Sequence, residues 1–137
     1  MTVTIPTTPQ MTKTSDDVIV VNVEPLPAPR PRVSKWGAYY PASYSVYRKA
    51  LAAELPKVEK QLDELVVFAE FICKPVAKSK YTTPMGDVDN FAKGLLDTLM
   101  DEGWYGDDRQ IVDLRILKRF PQPGEQPHIR FSISPKS

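Results

Sequence analysis

Acidic residues crowd one window of this chain. Between positions 87 and 113 lie Asp87, Asp89, Asp97, Asp101, Glu102, Asp107, Asp108 and Asp113, against only Lys93 and Arg109, a net charge of −6. The remaining sequence carries sixteen bases and nine acids, net +7, so the overall charge of +1 conceals a strong segregation. A metal-dependent enzyme acting on a polyanion needs such a distribution, with carboxylates for a divalent ion and cations for phosphates. One solvated acidic helix would produce the same count, and charge alone leaves both readings open.

Spacing narrows the choice. Asp87 and Asp89 are two apart, which puts both on one side of an extended segment. Asp89 also stands where a helix begins, one turn before Lys93. Asp108 lies just ahead of a strand expected to return beside that first turn. Three carboxylates from two segments can hold one or two Mg²⁺ ions, which prefer hard oxygen ligands and keep waters and substrate phosphate oxygens. Such ions activate a water and stabilise charge at a scissile phosphate. Lys93 would neutralise that charge or orient the water. Each residue alone has a plainer explanation. A helix-capping Asp is worth on the order of 1 kcal/mol. Gly-Asp-Asp is ordinary turn chemistry. Asp89, Lys93 and Asp97 also make a surface ladder worth a few tenths of a kcal/mol. Other catalytic apparatus is scarce. Cys73 and His128 are the only residues of their types, which excludes an intrachain disulfide, a Cys-rich zinc site and HExxH. Both are read as structural. The residues by themselves lead to a metal-dependent enzyme on a phosphate polymer.

These side chains need elements to position them. With 137 residues, 42% hydrophobic and 26% charged, the chain can bury one core. Residues 1–17, rich in Thr and Pro, read as a flexible tail, and 18–137 as one domain. Residues 18–23 (VIVVNV) read as a strand. The alternating prolines of 25–32 predict an extended, exposed segment presenting Arg30, Arg32 and Lys35, with Trp36, Tyr39 and Tyr40 close behind. Basic residues interleaved with aromatics can grip a backbone and stack on bases. A helix is predicted over 43–60 from Tyr44, Tyr47, Leu51 and Leu55, with Pro41 just ahead of it and Pro56 as an end or a kink. A strand follows at 65–73, then a loop carrying Lys74, Lys78 and Lys80. The second helix spans 89–102, with Phe91, Leu95, Leu96 and Leu99 on one side and Gly103 as its stop. Strands at 111–120 and 129–133 complete the order β-α-β-α-β-β, a mixed α/β (α+β) domain with a single mixed sheet and two main helices. No stretch approaches the roughly 20 apolar residues of a membrane span. The start lacks the pattern of a secretory signal, so a cytoplasmic location is expected.

At the acidic window the chain resembles the RusA family of Holliday-junction resolvases, common in phages and prophages. The family pattern Asp-x-Asp-Asn-x-x-Lys is matched by Asp87, Asp89, Asn90 and Lys93, followed by Asp97 and then by Asp107 and Asp108 before a strand. Gln110, Arg115, Lys118 and the upstream Pro-Arg-Pro-Arg of 29–32 extend the likeness. The resemblance implies that Asp87, Asp89 and Asp108 are metal-binding catalytic aspartates and Lys93 the catalytic lysine, with Asn90 and Asp97 supporting. It implies Mg²⁺ as cofactor, with Mn²⁺ as a substitute, and a homodimer that binds four-way and other branched DNA. Paired nicks in strands of like polarity would leave 5′-phosphate and 3′-hydroxyl ends, inside a bacterial host cell if the gene is phage-borne. Two equivalent sites suit a two-fold junction. One departure stands out: some relatives carry an arginine run before the first aspartate, where this chain has residues 81–86 (YTTPMG). Arg30, Arg32, Lys35, Lys74, Lys78 and Lys80 are the candidate backbone contacts. Two competing readings are a branched-DNA-binding protein of this fold without cleavage, and a carboxylate-metal phosphohydrolase acting on nucleotides.

Overall fold

The structure, a computed structural model, describes residues 18–29, 32–39, 41–75 and 81–136. The expected tail at 1–17 and the candidate contacts Arg30, Lys78 and Lys80 lie outside the described residues, and Arg32 is described through its backbone alone. The elements are β1 (Ile19–Val21), β2 (Arg32–Ser34), β3 (Gly37–Tyr39), α1 (Ala42–Glu54), β4 (Leu65–Ile72), α2 (Val88–Asp101), a 3₁₀ turn (Asp108–Gln110), β5 (Ile111–Arg119) and β6 (His128–Pro135). Four strands form one mixed sheet in the order β1-β6-β4-β5, and β2 with β3 makes a separate hairpin. The expected α+β architecture is therefore present, with the hairpin added.

Alternation along β4 sets the layers. Leu65, Val67, Ala69 and Phe71 are fully buried on one face, while Val66, Phe68 and Glu70 are partly exposed on the other. Ile129, Phe131 and Ile133 of β6 join the buried face. Both helices cover it. The apolar side of α2, with Phe91, Leu95 and Leu99, faces the sheet, and Phe91 meets Phe71 at a ring separation of 5.3 Å. Full burial of each such side chain stabilises the fold by roughly 1.5–3 kcal/mol. Helix α1 contributes Tyr44, Tyr47 and Leu51. The two helices approach closely at Gly94, where an added Cβ would lie 3.3 Å from the Tyr47 ring. Arg48 then ties them. Its Nε donates to Thr98 Oγ1 (2.9 Å), its guanidinium pairs with Asp101, and the buried Thr98 hydroxyl donates to Gly94 O (2.7 Å).

Helix boundaries follow local chemistry. α2 ends where Gly103 takes φ +83°, with Gly103 N–H bonded to Met100 O and Trp104 N–H to Leu99 O. This is the left-handed closure that a glycine makes without steric cost. α1 stops at Glu54, short of the predicted residue 60, because Pro56 forces Leu55 into an extended conformation (ψ 132°). Lys57 and Lys60 therefore lie outside the helix. In the described part of the proline-rich segment, 25–29, no helix or strand forms, and the expected exposure is not complete. Pro25 and Ala28 are buried, and Ala28 N–H donates to Asn90 O at 2.9 Å. Prolines lack an N–H, so this segment can lie on the core with few donors left to satisfy.

At the far end of the sheet, Arg119 forks onto Glu125 (2.6 and 2.9 Å) and reaches Glu70 (2.8 Å). Arg119 and the Gln122 N–H hold the Glu125 carboxyl down at about 2. His128 Nδ1 sits 2.7 Å from Gln126 O in the same corner.

Candidate active site

Strands β4 and β5 are parallel, so α2 is a crossover helix that runs back along the sheet. Its N-terminus lies by the C-terminal ends of these strands, and its C-terminus by their starts. A groove of roughly 530 Å³ runs between α2 and β5. Asp89, Ala92, Lys93 and Asp97 line it from the helix, with Leu114 and Ile116 from the strand and Asp108 from the turn ahead of it. Asp89, Lys93 and Asp97 thus occupy the outward side of α2, as their i, i+4, i+8 spacing requires. Lys93 Nζ lies 3.2 Å from Asp97 Oδ2. This i,i+4 pair is the contact that both the supporting role and the plain surface ladder call for.

The order of strands corrects one expectation. Asp108 does not return beside the first turn of α2. The parallel crossover delivers it to the C-terminal half of the helix, where Tyr105 Oη lies 2.9 Å from Asp108 Oδ1 and 3.0 Å from Leu96 O. From Asp89 to Asp97 the helix rises about 12 Å. The acids therefore form a line along the groove. Among the described residues, no three His, Cys, Asp or Glu side chains gather around one point. Asp87 is the N-cap of α2, exposed and outside the groove's lining, and its side chain makes no capping bond. The Asn90 N–H meets Asp89 Oδ1 at 3.0 Å, while Asn90 O takes the Ala28 bond already described.

Three residues without an assigned role hold this arrangement. Lys118 of β5 donates to Pro84 O (2.9 Å) and Gly86 O (2.6 Å), pinning the two residues' carbonyls just before Asp87. Gly86 has φ +100°, and a Cβ there would lie 3.0 Å from Pro27 and 3.2 Å from Phe91. Gln110 is the second. Its Oε1 accepts from Gly106 and Asp107 N–H, and its Nε2 donates to Gln61 O and Asp63 O, all at 2.9–3.0 Å. Together with Asp107, which accepts from Arg109 N–H, it forms a capping box around the turn bearing Asp108. The Asp107-x-x-Gln110 spacing is a readable sign of that box. Tyr105 is the third. It is fully buried, and burial together with its bond to Asp108 raises its phenol far above the usual range. Only the folded chain reveals this contact and that of Lys118.

Other predicted residues lie elsewhere. Lys35 and Lys74 are exposed, outside the groove's lining. Cys73 is buried and its thiol is pushed up to about 11 by burial, so it is protonated at neutral pH and does not act as a nucleophile.

The donors facing the groove are carboxylates only. That set suits Mg²⁺ or Mn²⁺ and not the softer transition metals. Mg²⁺ commonly takes one or two carboxylates and completes its shell with water and phosphate oxygens, so a line of acids fits it without a closed protein cage. Fold and groove together define a small α+β protein with three carboxylates and a lysine lining one groove. Comparison with known families makes this specific. Over residues 22–134, nearly the whole chain, the sequence matches the family Endodeoxyribonuclease RusA, and the protein belongs to that family. It is by family an endodeoxyribonuclease, and so a hydrolase, as the Asp-x-Asp-Asn-x-x-Lys element led one to expect. None of the curated proteins compared with the chain matches it. Among the described residues, no helix is long and apolar enough to cross a membrane.

Proposed function

We propose that this endodeoxyribonuclease resolves Holliday junctions by paired symmetric nicks, acting as a homodimer with Mg²⁺, or Mn²⁺ in its place. The observation that carries the reading is the groove lined by Asp89, Lys93 and Asp97 from α2 and by Asp108 from the turn before β5, in a RusA-family chain. Asp87, Asp89 and Asp108 are the residues proposed to hold metal. When bound, the ion lowers the pKa of a water and neutralises charge on the scissile phosphate.

The chain's own residues do the rest. The ammonium of Lys93, steadied by Asp97 3.2 Å away, lies one turn from Asp89, where it meets the extra negative charge of a phosphate under attack. Tyr105 and the Gln110 box fix Asp108, and Lys118 with Gly86 fixes the approach to Asp87. Arg30, Arg32, Lys35, Lys74, Lys78 and Lys80 are the proposed backbone contacts. They would confer the steep salt dependence of phosphate binding. A two-fold junction cut at two equivalent phosphates requires two copies of the groove. The reading places the protein with DNA in the cytoplasm of a bacterial cell.

A synthetic four-way junction and a linear duplex of the same sequence, each with Mg²⁺ and with chelator, test this. Symmetric, Mg²⁺-dependent nicks are expected in the junction alone. Asp89→Asn and Asp108→Asn should each lower the rate at least about 10²-fold. Tight junction binding without nicks would replace this reading with that of a binding protein. Hydrolysis of free nucleotides without DNA binding would replace it with that of a nucleotide phosphohydrolase.

A further inference from the structure

The β2–β3 hairpin is unused by the chemistry above, and its tip is unusual. Residues 35 and 36 make the turn, followed by Gly37 at φ +114°. At that turn Trp36, the largest side chain available, is 86% exposed. An aromatic ring that size is ordinarily buried or engaged at an interface. Lys35 Nζ stands over its ring, 5.0 Å from the centroid. This cation–π contact helps to hold the ring, while most of the ring surface stays open.

The surroundings select the partner. From Pro25 to Ala53 the chain carries Arg30, Arg32, Lys35, Arg48 and Lys49 and no acidic residue. The hairpin is tethered beside the groove, through Ala28 N–H on Asn90 O and through the close approach of Pro27 to Gly86. Eight Cα–Cα steps lead from Ala28 to Trp36, so the Trp36 Cα lies at most about 29 Å from that tether. Tip and tether therefore fit within one helical turn of DNA, about 34 Å. Every base offers a π-face, but duplex stacking hides it. Bases become available at a branch point or in a single strand.

We propose that Trp36 stacks on an unpaired or unstacked base of branched DNA while Lys35 meets the adjoining phosphate, so that the hairpin tip adds preference for branches over duplex. This deepens the proposed resolvase function and rests on it. A stacking contact of this kind is worth about tenfold in affinity, or about 1.4 kcal/mol.

The test titrates the full-length protein, in chelator to prevent cutting, with three probes: a four-way junction carrying 2-aminopurine beside the branch, a 2-aminopurine single strand, and a linear duplex. Trp104 is buried against Phe131, so tryptophan quenching by DNA reports Trp36. Wild type should show that quenching and a 2-aminopurine change on junction and single strand. Trp36→Ala should lose about tenfold in affinity for both, at least fivefold more than for duplex. Trp36→Phe should recover most of the affinity. Trp36→Ala within twofold of wild type on both probes overturns the proposal, and wild-type preference for the junction then leaves the resolvase reading standing. Trp36-dependent binding of the single strand without any junction preference refutes the resolvase reading and retains the stacking role. A change in sedimentation mass in Trp36→Ala, with base probes unaffected, makes the tip a protein contact and overturns the proposal. Wild type that binds no probe overturns both.

Discussion

Replacing Lys118 with methionine keeps the aliphatic stem and removes the ammonium that bonds Pro84 O and Gly86 O. Hydrogen bonds to a charged group contribute about 1.5–3 kcal/mol each. Lys118 and these carbonyls are only partly buried, so water recovers part of the loss and methionine gains some burial. A net destabilisation of about 2 kcal/mol is expected. For a domain this size that corresponds to a fall of about 7 °C in Tm. Urea unfolding measures the first quantity and a thermal melt the second. The loop also presents Asp87, so junction nicking at saturating Mg²⁺ should fall about tenfold or more at temperatures where the variant stays folded. The Mg²⁺ concentration for half-maximal rate should rise. Unchanged stability, within about 0.5 kcal/mol, together with unchanged Mg²⁺ dependence would refute the reasoning. The packing of Gly86 between Pro27 and Phe91 would then hold the loop unaided.

Further outcomes follow from contacts elsewhere. Tyr105→Phe removes the hydroxyl beside Asp108 and Leu96 O. It should lower the nicking rate about 10- to 100-fold by analogy with other groups that orient a ligand and cost only about 1 kcal/mol of stability, measured by single-turnover cleavage and urea unfolding. Glu125 is depressed in the folded state to about 2, so the unfolded chain binds its proton more readily. Its contribution is fully present above the ordinary carboxylate pKa of about 4.3 and is lost as pH falls toward 2. The stability advantage of wild type over Glu125→Gln should shrink across that window, and an advantage equal at pH 7 and pH 2.5 would refute the assignment.

Helix α2 was legible from residue types: Phe91, Leu95 and Leu99 recur at helical spacing, and Gly103 marks the stop. The line of Asp89, Lys93 and Asp97 followed from the same period. The position of Asp108 did not. Its place depends on β5 pairing parallel to β4, a long-range choice that no spacing within 87–113 encodes. Pro56 was readable as an end or a kink of α1, and it is the end, because it fixes the conformation of Leu55; the stretch to 60 was overlong. The hairpin escaped notice because its strands are three residues each and its neighbours are prolines. Lys118 and Tyr105 look like ordinary strand and turn residues until folding brings carbonyls or a carboxylate to them.

Every proposed catalytic residue, and the anchors Tyr105, Gln110 and Lys118, lies in the unbroken run from β4 through α2 to β5. The proline-rich segment and hairpin precede that run; among the described residues, Ala28 meets Asn90, Pro27 lies close to Gly86, and Leu26 and Ala28 pack on the core. Heritable change in the two parts is therefore separable. If the hairpin tip stacks on branched DNA as proposed, mutations there would redirect which DNA shapes are engaged and leave the proposed cutting residues untouched.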